Sequence, residues 1–495
     1  MLDLPAPDMA VLARRGAIVR ALRTIVPDGV ISDEATLTAY DGDALTAYRQ
    51  RPMVCVLPQT TEQVSALLAY AAAENIRVVP RGAGTSLSGG SLPLADGILL
   101  GLSRMTKVLE VDYENRCAVV QPGVTNASVT RAVQAAGFYY APDPSSQIAC
   151  SIGGNVAENS GGIHCLKYGL TTQNLMGVEL VLINGERIRL GGKHAGDGGL
   201  DLLSVVCGSE GLLGVVTEAT LRILPKAQAT RTLLIAYDSV RKAGETVAAI
   251  IAAGIIPAAL EFMDRPCIAT VEAFCAPGYP PDAEAILIAE VDGMDSEAED
   301  EARRIGKIAK ANGATSVREC ASDEERARAW SGRKAAFGAM GRLTPDMLCM
   351  DGTIPRKALA DVLERIAEFA IKYRLGCCNV FHAGDGNLHP LIVFDCMKEG
   401  ELERAEAFGA DILKLCVEMG GVLTGEHGVG VEKKALMGEM FSDTDLAQQE
   451  RLKCAFDSAY LLNPGKVFPS LHACVELGHM HVRDGRMPFA NLPRM

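Results

Sequence analysis

Apolar runs alternate with amphipathic segments through the first half of the chain, and their lengths predict a mixed α/β arrangement. Residues 53–57 form an apolar run typical of a strand, and Thr60 and Thr61 open a helical pattern that extends to about Asn75. An Asn184–Gly185 pair predicts a hairpin turn between the last two strands. Strands are predicted at 53–57, 76–80, 98–102, 117–121, 178–183 and 187–190.

The pattern changes near Pro225, after which strand-like runs alternate with longer helical patterns. Strands are predicted at 230–236, 257–262, 285–291, 348–354, 377–382 and 388–394. Helices are predicted at 238–253, 296–311, 323–340 and 357–373. This alternation favours an α+β layer, in which one antiparallel sheet carries helices on one face. Residues 399–460 are predicted to be mostly helical, and the segment Leu461–Phe468 ends this region.

Composition indicates a globular, multidomain chain. Its 495 residues are 48% hydrophobic, which is enough for two or three hydrophobic cores. The formal net charge is -13 and no basic run occurs, which excludes a general nucleic-acid surface because phosphate binding needs clustered Lys and Arg. The N-terminus lacks the basic region and apolar core of a signal peptide, and no apolar run is long enough to span a bilayer. We therefore expect a soluble, intracellular protein.

The cysteines indicate neither a disulfide framework nor an iron–sulfur cluster. Fifteen cysteines occur, scattered singly apart from Cys377–Cys378, and no Cys-x-x-Cys is present. A disulfide framework is typical of small secreted domains, and iron–sulfur clusters need closely spaced cysteines. Most of these thiols are therefore expected to be small buried side chains.

Three of the eight histidines lie in two glycine-rich turns of the second half. His382 and His389 flank the turn Gly384–Asn387, and the apolar runs on both sides predict a strand, a turn and a second strand. Their spacing differs from the helical metalloprotease signature, in which both histidines lie on one helix face. Glu426 and His427 lie in the second turn. Imidazole and carboxylate are ligands that zinc accepts, so a joint metal site is predicted; a hairpin whose histidines only satisfy hydrogen bonds is the alternative.

Glycine and hydroxyl residues concentrate in loops of the first half. The segment Arg81–Gly90 has four glycines and three hydroxyl residues in ten positions. Uncovered backbone N–H groups can hold a phosphate, so this loop is a candidate phosphate site, with a flexible loop as the equal alternative. It is not a dinucleotide fingerprint, because Leu87 stands where the third glycine would be, and it lacks the Gly-Lys-Ser/Thr of a Walker loop. Small residues recur at 142–162 and 207–215, where a flat cofactor would approach the backbone closely.

Together these segments resemble the FAD-binding oxidoreductases of the vanillyl-alcohol-oxidase type. Within them, the chain is similar to the FAD-linked 2-hydroxy acid dehydrogenases, a group that includes the glycolate oxidase flavoprotein subunit and the D-lactate and D-2-hydroxyglutarate dehydrogenases. The resemblance spans residues 50–470. It is carried by the segments Pro80–Gly90, Ser151–Asn155, Gly208–Gly214, His382–His389, Gly425–Gly428 and Leu462–Lys466.

The resemblance implies a two-part FAD-binding domain, an α+β cap domain and a C-terminal helical segment. The implied divisions are an N-terminal helical extension at 1–50, the FAD-binding domain at 51–228, the substrate-binding cap with the metal and base cluster at 229–430, a helical segment returning to the FAD domain at 431–470, and a tail at 471–495. The tail carries His472, His479 and His481, whose spacing could suit a metal, but an unanchored tail is the favoured interpretation.

The resemblance also implies FAD, with its pyrophosphate and ribityl chain cradled by the glycine-rich loops. Relatives with covalent FAD attach it through a histidine or cysteine near these loops; the cradle itself contains neither, so noncovalent FAD is expected, with His164 and Cys165 as the nearest candidates for a link. The residues implied to bind FAD are Arg81, Gly82, Ala83, Gly84, Thr85, Ser86, Ser88, Gly89, Pro142, Asp143, Ser151, Gly153, Gly154, Asn155, Asn159, Ser160, Gly161, Gly162, Glu210, Gly211, Gly214, Val215 and Asn463.

In metal-dependent relatives, the residues matching His382, His389 and Glu426 bind a divalent ion, and the residue matching His427 acts as base. A Zn, Mn or Fe ion would stabilise the developing negative charge on a 2-hydroxy acid while His427 accepts the hydroxyl proton, and hydride leaves for the flavin N5. Arg333 is the candidate that binds the substrate carboxylate through two hydrogen bonds, and a solvated helix face is the equal alternative for it.

The resemblance also suggests a substrate and partners. Cys349 stands where the 2-hydroxyglutarate relatives have a lysine, so a second substrate carboxylate would lack a partner. Glycolate, with D-lactate as an alternative, is therefore the expected substrate, oxidised to glyoxylate; D-2-hydroxyglutarate is the less favoured choice. An external electron acceptor is needed, and the expected partners are an iron–sulfur subunit and a second flavin-type subunit. These partners would place a cytoplasmic protein at the inner face of the cell membrane.

Two other classes of function compete with the dehydrogenase. A metal-dependent hydrolase would use the same histidine and glutamate cluster to activate water, but it gives the glycine-rich loops no purpose. A noncatalytic flavoprotein subunit that only relays electrons would need none of the four residues of that cluster.

Overall fold

Three main sheets organise the chain, which the computed structural model describes over residues 4–194 and 199–469. The tail predicted at 471–495 lies outside the described residues, and so do its histidines. Four strands form the first sheet, five the second and seven the third. A further antiparallel pair joins Phe138–Tyr139 to Leu224–Pro225.

The first sheet is built around a parallel βαβ unit. Val54–Val56 and Val78–Arg81 both pair in parallel with Ile98–Gly101, which lies between them, and helix Thr61–Ala73 connects the outer two strands. The predicted loop Arg81–Gly90 follows the strand Val78–Arg81. It therefore leaves the carboxyl end of a parallel strand, which is where open α/β sheets bind ligands.

Both ends of the described chain attach to this first sheet. The strand Val30–Ile31 pairs antiparallel with Val54–Val56, so the first fifty residues contribute a strand as well as helices. At the other end, the Val78 N–H donates to the Leu461 carbonyl at 2.8 Å, and the Asn463 N–H donates to the Val78 carbonyl at 2.8 Å. The N-terminal helices are Met9–Ala13, Arg15–Ile25 and Glu34–Leu37.

The second sheet is antiparallel and contains the predicted hairpin. Val181 lies opposite Arg187, and the turn between them places Gly185 at φ +83°, a conformation that suits glycine. Its strands, in spatial order, are Val108–Asp112, Cys117–Val120, Val215–Arg222, Leu175–Val181 and Arg187–Gly191. Nearby short helices are Asn126–Val133, Ile152–Glu158, Cys165–Tyr168, Thr171–Asn174 and Leu202–Val206.

The third sheet is antiparallel throughout. Its strands, in spatial order, are Ser316–Glu319, Ala229–Tyr237, Ala285–Gly293, Ala259–Asp264, Gly376–Phe381, Pro390–Phe394 and Asp346–Cys349. The helices of this half and of the C-terminal region are Val240–Ala252, Arg265–Cys275, Asp295–Ala311, Asp323–Met340, Leu359–Tyr373, Glu401–Glu418, Met437–Met440 and Asp443–Phe456.

The prediction that helices cover one face of this sheet is wrong. Leu233 and Ile235 share a core with buried residues of the helices at 240–252, 295–311, 359–373 and 401–418. Leu234 and Ala236 share a different core with the helices at 265–275 and 323–340. Successive strand residues point to opposite faces, so helices cover both faces. The physical reason is visible in the run 233–236, which is apolar at every position, whereas a strand with one solvated face would alternate.

The strand predicted at 348–354 is shorter than expected. The observed strand is Asp346–Cys349, and the chain then leaves the ladder. The Asp351 side chain accepts hydrogen bonds from backbone N–H groups of residues 425–427, which pulls the segment away from the sheet. Among the helices of the described ranges, none combines the length and apolar composition needed to cross a bilayer.

Candidate active site

The glycine-rich loops of the first half surround a cavity of about 440 Å³ that the second half closes. His389, Glu426 and His427 also line this cavity, so the glycine-rich loops and the histidine turns meet at one site. The residues implied to bind FAD that line this cavity are Arg81, Gly82, Ala83, Gly84, Thr85, Ser86, Ser151, Gly153, Gly154, Asn155, Ser160, Glu210, Gly211, Gly214 and Val215.

Close packing explains why glycine occupies several of these positions. A Cβ on Gly153 would lie 2.7 Å from the Pro122 Cβ, and a Cβ on Gly214 would lie 2.7 Å from the Leu180 Cγ. Gly84 has φ +72° and Gly211 has φ +71°, which disfavour any residue with a side chain. Gly154 is different, since a Cβ there would approach only the Ser151 Oγ, at 3.3 Å, and would occupy space at the cavity wall.

Replacing Gly154 with valine is therefore expected to remove FAD without unfolding the protein. Gly154 lies inside helix Ile152–Glu158, where a side chain is tolerated by the backbone but intrudes on the cavity. We expect the FAD content of purified Gly154→Val to fall at least roughly tenfold, measured as bound flavin per chain, because a side chain at this position removes close backbone approach to the ligand. Gly338→Val is the matched control, since Gly338 is an exposed helical glycine with no atom within 4 Å of its Cβ position. Full flavin content in Gly154→Val would contradict the placement of FAD in this cavity.

The other residues implied to bind FAD do not line this cavity. They are Ser88, Gly89, Pro142, Asp143, Asn159, Gly161, Gly162 and Asn463. Asn463 supports two wall segments, because its Nδ2 donates to the carbonyls of Gly90 at 2.9 Å and Glu210 at 2.7 Å. The Gly161 N–H donates to Glu426 Oε2 at 3.0 Å and so ties a cofactor loop to the histidine cluster.

The sequence interpretation missed several residues that line the cavity. They include Pro144, Ser145, Ser146, Glu158, Lys334 and Phe337. Pro144 and Glu158 lie within segments already noted for their small residues, so a wider selection there would have found them. Lys334 and Phe337 belong to helix Asp323–Met340, and the sequence carries no signal for how that helix is rotated about its axis.

The predicted hairpin brings His382 and His389 together. Strands Gly376–Phe381 and Pro390–Phe394 pair antiparallel, and a bridge between His382 and Asn387 closes the turn. The His382 and His389 rings lie 5.1 Å apart, edge to face. The glycine-rich turn therefore places both imidazoles on one side of the bend.

Glu426 completes a group of potential metal ligands. Its Oε1 lies 3.4 Å from His382 Nε2 and 3.1 Å from His389 Nε2, and the three ligand atoms lie within 4.8 Å of one another. His382 Nδ1 lies 2.8 Å from Glu261 Oε1, which orients the ring and leaves Nε2 directed at the cluster. Carboxylate partners of this kind are typical of histidines that bind metals. Burial lowers the pKa of His382, but the Glu261 and Glu426 carboxylates outweigh it and raise the pKa to about 10.

Asp351 holds the turn that carries Glu426 and His427. Its carboxylate accepts from the N–H groups of Gly425 at 3.0 Å, Glu426 at 3.2 Å and His427 at 2.9 Å. Asp351 is fully buried, and the Lys433 Nζ lies 3.1 Å from its Oδ2. One carboxylate therefore fixes the backbone of three consecutive residues of the site.

His427 is held as a neutral imidazole. Its ring stacks on His389 with centroids 5.0 Å apart, and its Nδ1 is buried with no hydrogen-bond partner among the residues described. Burial lowers the pKa of His427 to about 4; the neighbouring His389 and Lys433 lower it too, and Asp351 opposes them. A neutral imidazole in a cavity wall can accept a proton.

Arg333 is buried, which excludes the solvated helix face as an explanation for it. Its exposed fraction is 2%, and its Nε donates to Glu261 Oε2 at 2.7 Å. Its Nη2 is buried without a hydrogen-bond partner in the described part of the chain. Because Glu261 also binds His382, the arginine is connected to the metal-ligand group through one carboxylate. It does not line the cavity, so its role toward a substrate stays a prediction.

Two further positions bear on the cofactor and the substrate. His164 Nδ1 lies 2.8 Å from Asp143 Oδ2, Cys165 is buried, and neither residue lines the cavity. Cys349 is buried beside His389 and His427, with ligand atoms within 4.8 Å of one another. Burial raises the pKa of the Cys349 thiol well above its ordinary value, so this position carries no charge at neutral pH.

Comparisons with known proteins agree with this geometry. Residues 52–191 match the family model for an FAD binding domain, and residues 226–467 match the model for the C-terminal domain of FAD linked oxidases. The glycolate oxidase subunit GlcD of Escherichia coli K12 is 50% identical over 494 residues, which cover 100% of this chain and 98% of the relative. A D-lactate dehydrogenase of Archaeoglobus fulgidus is 34% identical, over 84% of this chain and 92% of the relative.

A solved structure shows the same fold at much lower sequence identity. The 4-ethylphenol oxidase from Gulosibacter chungangensis superposes with a TM-score of 0.79 at 18% identity, and the match covers 94% of this chain and 98% of that one. This likeness confirms the predicted α+β fold class, and the match to the FAD binding domain together with the 50% identical relative confirms FAD as the cofactor. The chain belongs to the FAD-linked oxidases of the vanillyl-alcohol-oxidase type.

Proposed function

We propose that this enzyme oxidises glycolate to glyoxylate and passes the electrons through FAD to an external acceptor. The observation that carries the proposal is the shared cavity, in which glycine-rich cofactor loops face His389, Glu426 and His427. A hydrolase would need the histidine cluster but not the loops, and an electron relay would need the loops but not the cluster. An oxidase of a 2-hydroxy acid needs both.

The cavity fits a flavin nucleotide held without a covalent bond. At Gly154 a Cβ would meet only the Ser151 Oγ, at 3.3 Å, and would stand at the cavity wall, so glycine leaves this wall open to a ligand. The first loop presents hydroxyls at Thr85 and Ser86. Bound FAD supplies a hydride acceptor. His164 and Cys165 lie outside the cavity wall, which supports noncovalent binding.

His382, His389 and Glu426 would hold a divalent ion, which we propose to be Zn, Mn or Fe. The donor set has two imidazoles and one carboxylate, and Glu261 orients His382 as a carboxylate partner orients a metal-binding histidine. A bound cation supplies Lewis acidity toward the substrate hydroxyl. The neutral ring of His427 is the group that accepts the hydroxyl proton.

Arg333 and Cys349 would determine which acid is accepted. The Nη2 of Arg333, which has no hydrogen-bond partner among residues 4–194 and 199–469, suits a carboxylate oxygen. The buried, neutral Cys349 offers no charge to a second carboxylate. A short monocarboxylate is therefore preferred over D-2-hydroxyglutarate. D-lactate is the alternative substrate, because one relative is a D-lactate dehydrogenase and both acids share the 2-hydroxy carboxylate.

The electrons pass to an external acceptor. Within residues 4–194 and 199–469, each group of potential metal ligands contains at most one cysteine, which does not suit an iron–sulfur cluster. The Escherichia coli relative is named as a subunit of glycolate oxidase. We infer an iron–sulfur subunit and a second flavin-type subunit as partners, with peripheral association at the inner face of the cell membrane through them.

Anaerobic mixing with a panel of 2-hydroxy acids tests the proposal. Glycolate is expected to bleach the visible flavin absorbance fastest, with D-lactate next and D-2-hydroxyglutarate slowest. Removing divalent ions with a chelator should slow bleaching by roughly 100-fold or more, and added Mn²⁺ or Zn²⁺ should restore it. If no 2-hydroxy acid bleaches the flavin, the proposed reaction is wrong. If the purified protein holds no divalent ion, or if the chelator removes the ion without slowing bleaching, only the metal is wrong.

A further inference from the structure

Glu210, in the glycine-rich loop at 207–215, has a backbone conformation that suits glycine. Its φ is +51°, between Gly208 at φ +83° and Gly211 at φ +71°. A residue with a side chain is disfavoured in this left-handed region, whereas glycine would adopt it without strain. Strained residues of this kind cluster at functional sites. The conformation therefore indicates that the Glu210 side chain has a function that outweighs the cost to its backbone.

The side chain of Glu210 leaves the cofactor loop and binds the turn that carries the proposed base. Its Oε1 accepts from the Val429 N–H at 2.6 Å, and its Oε2 accepts from the Gly430 N–H at 2.7 Å. Gly428 permits this approach, because a Cβ there would lie 2.9 Å from the Glu210 Cδ. Glu210 is buried, and its backbone N–H donates to the Ala157 carbonyl at 2.8 Å. The residue is thus fixed in the loop and connects the loop to the turn.

One carboxyl group from each half of the chain holds the turn at 425–430. Asp351, in the second half, accepts backbone N–H groups at the start of the turn. Glu210, in the first half, accepts those at its end. Glu426 and His427 lie in this turn, so the position of the proposed metal ligand and of the proposed base depends on both carboxyl groups.

Two other cofactor loops contact the same segment. The Gly161 N–H donates to Glu426 Oε2 at 3.0 Å. The Ser88 carbonyl accepts the N–H groups of Val431 at 2.9 Å and Glu432 at 3.1 Å. A ligand that orders these loops therefore also orders the segment that carries the metal ligand. When two binding events share the same ordering, the second one loses less conformational entropy.

The loop of Glu210 is itself part of the cavity wall, since Gly211, Gly214 and Val215 line the cavity. We propose that Glu210 is a positioning residue that couples the two sites: bound FAD raises the affinity for the divalent ion at Glu426, and the ion raises the affinity for FAD. Thermodynamic linkage requires the two factors to be equal. The inference rests on the proposed function, because it takes FAD to occupy the cavity and the ion to bind Glu426.

Titration of the apoprotein and of the FAD-loaded protein with Mn²⁺ tests the inference without any substitution in the coupled residues. Electron paramagnetic resonance measures the free ion, and the bound ion counted is the one that Glu426→Gln loses. Its dissociation constant should be about tenfold smaller in the FAD-loaded protein, a usual size for coupling between two sites. Equal Mn²⁺ affinities in the two forms would overturn the inference.

The reciprocal measurement starts from the FAD-loaded protein, so it decides the matter even if the apoprotein is unstable. Release of FAD on dilution is followed by the fluorescence of the free flavin. The dissociation constant for FAD should be about tenfold smaller with Mn²⁺ than with a chelator. An FAD affinity that does not respond to the ion would contradict the coupling.

Glu210→Gln separates a positioning role from general support of the fold. The glutamine oxygen can accept one of the two N–H groups, but its NH₂ group faces the other, so the turn loses a contact. The ratio of Mn²⁺ affinities with and without FAD should fall from about tenfold to less than about twofold. A substitution that only weakened the fold would lower both affinities and leave their ratio unchanged. An unchanged ratio in Glu210→Gln would overturn the role of Glu210.

Glu218→Gln is the matched control, because Glu218 is also a glutamate of the FAD-binding half but pairs with Arg189 at 3.3 Å on the surface. This variant should keep the ratio of the unsubstituted protein. If neither the apoprotein nor the FAD-loaded protein binds Mn²⁺ at Glu426, the proposed metal is wrong and the coupling is wrong with it. Bleaching of the unsubstituted protein by glycolate tests the proposed reaction separately.

Discussion

Replacing His427 with alanine is expected to slow reduction of the flavin by glycolate by roughly 100- to 10,000-fold, the usual contribution of a general base. Bound FAD should be retained, because the residues that line the cofactor loops are unchanged. Anaerobic stopped-flow measurement of flavin bleaching at saturating glycolate gives the rate directly. Since the substitution removes an imidazole from a cavity wall, added imidazole should restore part of the rate.

This expectation rests on the protonation state and the fixed position of the His427 imidazole. Burial keeps His427 neutral, and its stacking on His389 together with the backbone contact to Asp351 fixes its position. The unsubstituted enzyme therefore presents a proton acceptor before substrate arrives. An alanine at this position leaves the hydroxyl proton without an acceptor of comparable basicity.

His164→Asn is the matched control for the His427 substitution. His164 is also a histidine near the cofactor loops, but it is bound to Asp143 and does not line the cavity. Its bleaching rate should stay within about threefold of the unsubstituted protein, because it contacts none of the reacting groups. If His427→Ala bleaches at the unsubstituted rate with full flavin content, another residue accepts the proton.

The histidine hairpin could be predicted from the sequence because its determinants are local. Glycines in the turn and apolar runs on both sides specify a strand, a turn and a strand, and these place His382 and His389 side by side. The convergence with Glu426 is not local. It depends on Asp351, a residue that the sequence pattern assigned to the interior of a strand.

Other features of the site depend on how a helix is rotated about its axis and on what packs around a strand. The sequence pattern specifies neither. Arg333 and Lys334 are neighbours in one helix, yet the first is buried against Glu261 and the second lines the cavity. Charged residues occur on several faces of this helix, so its sequence does not specify the rotation. Glu261 did carry a signal, since a single carboxylate inside an apolar strand is costly unless it is paired. A charged residue inside a predicted apolar strand therefore indicates an oppositely charged or hydrogen-bonding partner nearby.

Replacing Asp351 with asparagine is expected to remove both the metal site and a large part of the folding stability. The substitution leaves the fully buried Lys433 with only the more distant Glu432 carboxylate, 3.9 Å away, as a counter-charge. Breaking a buried ion pair in this way costs about 3–5 kcal/mol. The amide also offers N–H donors where the site needs only acceptors, because three backbone N–H groups point at the Asp351 carboxylate. The turn at 425–427 would then lose the contacts that hold it. Glu426 and His427 would no longer be held in position.

Urea unfolding and metal content measured on the same preparations check this expectation, with Asp361→Asn as the matched control. Asp361 pairs with Arg241 at 2.9 Å on an exposed surface, where such a pair contributes at most about 1 kcal/mol, so the control should unfold close to the unsubstituted protein. Adding Lys433→Met to Asp351→Asn should recover part of the lost stability, since the uncompensated buried charge is then removed. The metal site should stay absent in that double variant, because the Asp351 carboxylate, not the ion pair, holds the turn. An Asp351→Asn protein with normal metal content would contradict this role for Asp351 even if its stability were reduced.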